Sequence, residues 1–473
     1  MKRPLIALLL FFFLFPTASL GAGPTADPRH MTFPPLVFKV PTAERVVLDN
    51  GIVVYLLDDR ELPLVSMQAY VGTGGVYEPA DKTGLAALTG AVLRGGGTKH
   101  TTPEVLDDEL EFMASSIDSG IGADAGSVSM SCLAKNLDRT LELFAQVLRM
   151  PMFREDRVAQ AKNLMIEGIR RQNDDPKDVA DRELRKAIYR NHPLGRYPTV
   201  ESVSSLTRDD LVAFHRRYFH PNNMILAVAG DFDRAEILAK LRKAFGGWRR
   251  VEVSLPVVPE PVPVERPAVL LVKRDIDQTV IRMGHLGIDK NNPDVYAITV
   301  MNAILGGNGF SSRLMRVVRA QKGLAYNVDS SFNPGRRFPA TFEAETETKP
   351  ATTALAIGLM EGIISDMTRN PVSDGELSLA KDSIINSFIF AFTTPATVAA
   401  RLARLEYYSY PHGYLENFRK NIAGVTKEDV LRAARKYLHP DNMILVVVGN
   451  ERKFDKPLAT FGTVKEVVPE TVK

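Results

Sequence analysis

One block of this sequence recurs at a constant offset of 219 residues, which restricts the chain to folds built from two similar modules. Leu206-Thr-Arg-Asp-Asp-Leu, ending in Arg217-Tyr-Phe-His-Pro-Asn-Asn-Met-Ile-Leu226, returns as Val425-Thr-Lys-Glu-Asp-Val, ending in Lys436-Tyr-Leu-His-Pro-Asp-Asn-Met-Ile-Leu445. The same offset carries Ala161-Lys-Asn-Leu-Met-Ile166 onto Ala380-Lys-Asp-Ser-Ile-Ile385, so the register holds without a gap over at least 65 residues. Each copy reads as a helix opened by Thr207 or Thr426 as N-cap and stopped by Pro221 or Pro440, with acids in the first turn against the helix dipole. The apolar runs Ile225 to Val228 and Ile444 to Val448 then read as covered strands.

The first half continues the pattern. A hairpin is predicted from Arg45 to Asp58 around Asn50-Gly51, and a strand from Leu64 to Val71. Helical spacing follows at Leu85, Leu88, Ala91 and Val92, closing at Gly95-Gly-Gly97. Further helices are predicted at Leu141 to Leu148 and at Arg154 to Gln172. The fold class is therefore α+β: two tandem homologous α/β modules, each a sheet backed by helices, forming a clamshell with a cleft between them. Residues 35–248 form the first module and 268–456 the second. The proline-rich stretch 249–267 reads as a stiff linker, and 457–473 as a loose tail.

The chain has 59 Lys and Arg against 56 Asp and Glu, a net charge of +3 that argues against a dedicated nucleic-acid binder. Residues 1–22, with Lys2 and Arg3 ahead of an apolar run and small residues after it, read as a secretory signal peptide. The expected location is exported, in a bacterial periplasm. The single cysteine, Cys132, lies where Val128, Met130 and Cys132 alternate with serines, the pattern of a half-buried strand and a structural thiol.

The duplicated layout, the run Ser312-Arg-Leu-Met-Arg-Val-Val-Arg-Ala-Gln-Lys-Gly-Leu-Ala-Tyr326, Asp174-Asp-Pro176 and His192-Pro-Leu-Gly-Arg196 resemble the insulinase and pitrilysin family of zinc peptidases. Active members of that family carry His-x-x-Glu-His on the helix after the second strand, two imidazoles holding zinc and the Glu serving as base. Aligned through Gly84-Leu-Ala86, those positions fall on Ala87, Gly90 and Ala91 here, and none can bind a metal or move a proton. The family's third ligand aligns with Glu167, 76 residues after Ala91, whose repeat mate is Asn386. One carboxylate does not make a zinc site. The histidines offer no replacement: His215 and His220 are five residues apart and diverge round a helix, His220 recurs as His439 at a helix stop, and His30, His100, His192, His285 and His412 have no ligand spacing.

The resemblance also implies an Arg and a Tyr seven residues later, projecting across the cleft from the second module, and that spacing falls on Arg319 and Tyr326. The Arg would hold substrate backbone and the Tyr would donate a hydrogen bond to the developing oxyanion. Ser311 or Ser312 is expected to cap a helix running through Arg319, with Gly323 ending it and Tyr326 beginning a strand. Gly306-Gly-Asn308-Gly309 lacks the Gly-Lys-Ser/Thr of a phosphate loop, and the resemblance makes it a flexible loop beside the cleft. Loss of the metal ligands with retention of Arg319 and Tyr326 points to a subunit that binds no cofactor itself. A homologous partner with an intact motif would carry the zinc, and the substrate would be a peptide. A non-catalytic scaffold or peptide-binding protein of the same fold is the other reading.

Overall fold

A computed structural model describes residues 38–469; the expected signal peptide lies outside the described residues. The first module runs β1 (Glu44–Val47), β2 (Val53–Asp58), β3 (Leu64–Val71), α1 (Leu85–Gly95), α2 (Pro103–Phe112), β4 (Ser116–Ile121), β5 (Gly126–Leu133), α3 (Leu137–Arg149), α4 (Glu155–Arg171), α5 (Pro176–Tyr189), α6 (Val200–Ser205), α7 (Arg208–Tyr218), β6 (Met224–Gly230) and α8 (Arg234–Phe245). The second runs β7 (Ala268–Lys273), β8 (Thr279–Leu286), α9 (Val295–Asn302), β9 (Val328–Phe332), β10 (Thr341–Thr348), α10 (Thr353–Arg369), α11 (Asp374–Ser387), α12 (Pro395–Tyr407), α13 (Tyr414–Gly424), α14 (Lys427–Tyr437), β11 (Ile444–Gly449) and β12 (Val464–Glu466). The repeat is visible in its caps: Thr207 and Thr426 each close a capping box, with Asp210 and Asp429 as the reciprocal partners.

Each module holds a six-stranded sheet, in the orders β1-β2-β6-β3-β5-β4 and β12-β7-β11-β8-β10-β9. Five positions correspond strand for strand, including the parallel pairs β2 with β6 and β7 with β11. Only the outer edge differs. In the first module β1 reaches it by a hairpin, antiparallel to β2, through Asn50 and Gly51 at φ +92°. In the second, β7 is entered from the linker with no hairpin before it, and β12 covers that edge in parallel. Residues 457–469 are thus not the loose tail expected. Leu458 is buried, and Val467 N donates to Leu271 O at 2.8 Å.

Alternation along the strands divides each sheet into two faces. Val65, Met67, Ala69 and Val71 of β3 point to the first core, with Leu88 and Val92 of α1, while Ile281 and Met283 of β8 point to the second. The opposite faces are covered crosswise. α5, from the first module, packs Val179, Ala180, Leu184 and Ile188 onto Leu270, Val272, Val280, Ile444, Val446 and Val448 of the second sheet. α12, from the second module, packs Ala399 and Ala403 onto Ala227 and Ala229 of β6. The modules therefore exchange helices and are more than two lobes on a strap. The linker is itself held at both ends: Asn222 Nδ2 donates to Val251 O at 2.9 Å and Asn442 Nδ2 to Val264 O at 2.6 Å.

Candidate functional site

Gly84 is the N-cap of α1, and its φ of +105° turns the chain into the helix beneath the half-buried side chain of Glu78. The Glu78 carboxylate accepts from Gly84 N and Ala86 N, both at 2.9 Å, filling the free donors of the first turn. Burial pushes its pKa up, against those hydrogen bonds. Ala87 and Ala91 lie one helical turn apart on the exposed side of α1. Gly90 is turned inward instead. A Cβ there would sit 2.3 Å from Ile121 N and 2.7 Å from Gly120 C, and Ser119 Oγ donates to Gly90 O at 2.7 Å. Helix and β4 thus meet backbone to backbone at the position where the family resemblance would put a glutamate.

Glu167 stands on α4, the helix packed beside α1, but it is exposed and paired with Arg170 at 2.6 Å. Two methyl groups and a hydrogen leave one carboxylate where three donors are needed, so the donor set does not fit zinc. Among the described residues no other cluster of His, Cys, Asp and Glu could hold a metal.

The second module does bring its two expected residues together. The guanidinium carbon of Arg319 lies 4.6 Å from the ring centre of Tyr326, and Phe310 covers it from a second ring, also at 4.6 Å. Tyr326 is 82% exposed and Phe310 72%. The backbone differs from the expectation in two ways. From Met315 to Gln321 the chain is a π-helix, with Lys322 N bonded to Val317 O at 3.1 Å, and Tyr326 precedes β9 by two residues rather than starting it. Such widened turns recur at functional sites because they re-aim side chains. Ser312 does occupy the helix start, but its hydroxyl donates to Gly309 O at 2.7 Å and caps no helix N–H. Gly323, at φ +63°, releases the chain toward Tyr326.

Gly306, Gly307, Asn308 and Gly309 are not a free loop either. Gly306 and Gly307 end a π-helical continuation of α9, and a Cβ on Gly306 would fall 2.4 Å from Ser330 N. Asn308 is tied to α11, accepting from Ser383 Oγ at 2.7 Å. Of the four, only Gly309 combines a positive φ, +53°, with open space. Phe310 was missed from sequence; its signal was an aromatic directly after this glycine run, beside the basic helix.

His192, His215 and His285 are held in structural hydrogen bonds. Burial pushes His215 and His285 down to about 4; His215 Nε2 donates to Leu148 O at 2.9 Å and His285 Nδ1 to Leu286 O at 2.8 Å. His192 Nδ1 accepts from Leu194 N at 3.2 Å. Cys132 is buried on β5, and its thiol is pushed up to about 11, the state of an inert side chain. Sequence reading also missed the polar clasp between modules. Glu406 of α12 binds Arg45 at 2.7 and 2.8 Å and accepts from Tyr55 at 2.6 Å, while Tyr407 donates to Val71 O and Asp124 O.

Two family models match in tandem: "Insulinase (Peptidase family M16)" over residues 53–199, which hold Ala87, Gly90, Ala91 and Glu167, and "Peptidase M16 inactive domain" over 205–384, which hold Phe310, Arg319 and Tyr326. The chain belongs to the M16 peptidase family. Among its relatives is an uncharacterized zinc protease of Mycobacterium tuberculosis, 26% identical over 416 residues, covering 87% of this chain and 94% of the relative. Another, YmxG of Bacillus subtilis, is 22% identical over 407 residues, 85% of this chain and 98% of the relative. A solved M16 inactive domain from Pseudomonas fluorescens superposes with a TM-score of 0.79 at 27% identity, covering 86% of this chain and 98% of that one. The periplasmic protease PqqL of Escherichia coli shares the fold at a TM-score of 0.74 and 17% identity, covering 93% of this chain and 49% of that one.

Proposed function

We propose that this M16 protein is the zinc-less subunit of an exported, heterodimeric metallopeptidase. The observation that carries the proposal is the contrast between modules: α1 has no donor at Ala87, Gly90 or Ala91, while Arg319, half-buried, and Tyr326, exposed, stand together. Arg319 grips the substrate, and the Tyr326 phenol donates a hydrogen bond to the oxyanion as the peptide carbonyl becomes tetrahedral. The partner, an M16 chain with an intact motif, supplies zinc and the general base. Export is supported by the residues read as a signal peptide and by the periplasmic setting named for the structurally similar PqqL.

The test is reconstitution. The chain is purified alone and together with a zinc-bearing M16 chain from the same cells, and peptide hydrolysis and zinc content are measured. Activity confined to the mixture, with zinc in the partner, is the expected result. Hydrolysis by the purified chain alone, with one tightly bound zinc, would overturn the proposal.

A further inference from the structure

The guanidinium carbon of Arg319 lies 4.6 Å from the centre of each of two exposed rings, Phe310 and Tyr326. Aromatic rings attract a guanidinium through its face, whereas all five of its N–H donors lie in its plane, toward the edge that any further acceptor would use. Among the described residues that edge meets no hydrogen-bond or ion-pair acceptor. The neighbouring arginines differ. Arg313 is bidentate with Glu376 at 2.7 and 2.9 Å and reaches Asp366 at 2.9 Å, and Arg316 lies 3.6 Å from the same Glu376. Lys322, three residues beyond Arg319, is exposed and also lacks an acidic partner among the described residues. Of four basic side chains spaced by three, the first two are neutralised by α10 and α11, and the two nearest the aromatic stack are not.

We infer that Phe310, Arg319 and Tyr326 form a carboxylate-binding site, which takes a planar acidic group of a peptide in the plane of the guanidinium. Phe310 is a positioning residue that holds that plane. A carboxylate presents two charged oxygens at the spacing of the guanidinium fork, whereas a backbone carbonyl presents one neutral oxygen. The carboxylate has two sources, the C-terminus of a short peptide or an Asp or Glu side chain. This assignment rests on Arg319 as a substrate grip and adds the substrate's chemistry to it.

The experiment uses the full chain without a partner and isothermal titration with three peptides of one sequence: the free acid, its C-terminal amide, and the amide with one internal Glu. One or both acidic peptides bind about tenfold more tightly than the plain amide, and which of them does so identifies the source. Arg319→Lys keeps the charge, loses the fork, and shrinks the preference to below about threefold. Phe310→Ala shrinks it too, and Phe310→Tyr restores it. All the substituted side chains are exposed or half-buried, so thermal midpoints stay at the wild-type value and folding is not at issue. Equal binding of the three peptides, or none, overturns the carboxylate assignment. If binding is equal and Arg319→Gln weakens all three alike, the proposed function stands without it; if that variant changes nothing, Arg319 leaves substrate binding altogether.

Discussion

Tyr326 and Gly90 are the two single side chains on which the proposed function bears most directly. The Tyr326 hydroxyl has no partner among the described residues, so Tyr326→Phe is expected to leave thermal stability unchanged. Turnover of the reconstituted complex should fall about 10²- to 10³-fold, the usual effect of removing one oxyanion donor. An unchanged rate would take Tyr326 out of catalysis. Gly90 was legible as a missing glutamate, but its reason was not: the absent side chain lets α1 lie on β4. Gly90→Ala should cost about 1 to 3 kcal/mol in urea unfolding by overpacking. Rebuilding the motif with Ala87→His, Gly90→Glu and Ala91→His should therefore destabilise the chain rather than restore zinc; a stable, zinc-loaded triple variant would refute the packing argument. His215 and His285 set a pH dependence. Their pKa values fall from the ordinary 6.5 to about 4, so between those values the unfolded chain binds protons that the folded chain refuses. Stability is full above pH 6.5, declines as the pH drops and levels off near 4, by roughly 3 kcal/mol per histidine. Urea midpoints across this range should flatten in His215→Ala; a slope unaltered there would assign the effect elsewhere.

Elements were read best where the signal was local. The caps at Thr207 and Thr426, the turn at Asn50-Gly51 and the alternation in β3 and β5 all follow from a few neighbouring residues. The π-helix through Arg319 was not readable, because its wider turn lies in backbone pairing that side-chain spacing does not encode. Nor was β12, three residues long and polar enough to pass for a tail. Helix α12 had a visible stripe of alanines, and the structure explains their size: Ala399 and Ala403 let it approach Ala227 and Ala229 closely. Ala403→Leu should then destabilise the fold by about 1 to 3 kcal/mol, read from the urea midpoint. A neutral or stabilising result would mean the interface has room that the close contact denies.

For the whole molecule, the crosswise helices make each sheet depend on the other half of the chain. Residues 38–248 expressed alone would leave α5 without its sheet and β6 without α12, exposing two apolar faces. Each half by itself should be aggregation-prone, and the two expressed together should copurify as a nicked whole. Independent, cooperative unfolding of one soluble half would show that the exchange adds little. The same interlock, with the Arg45–Glu406–Tyr55 clasp across it, carries the first module's α1 and the second module's Arg319 in one scaffold.

The amino-acid sequence alone determined the duplication, the α+β class, the lack of metal-binding side chains at Ala87, Gly90 and Ala91, and the seven-residue spacing of Arg319 and Tyr326, since each is a matter of residue type at a fixed position. The tertiary structure decided which sheet each apolar stripe covers, that Gly90 is a contact as well as a deficit, and that Phe310 joins the pair. A stripe records that a surface must leave water; it does not record which of two similar surfaces, more than two hundred residues apart, it will meet.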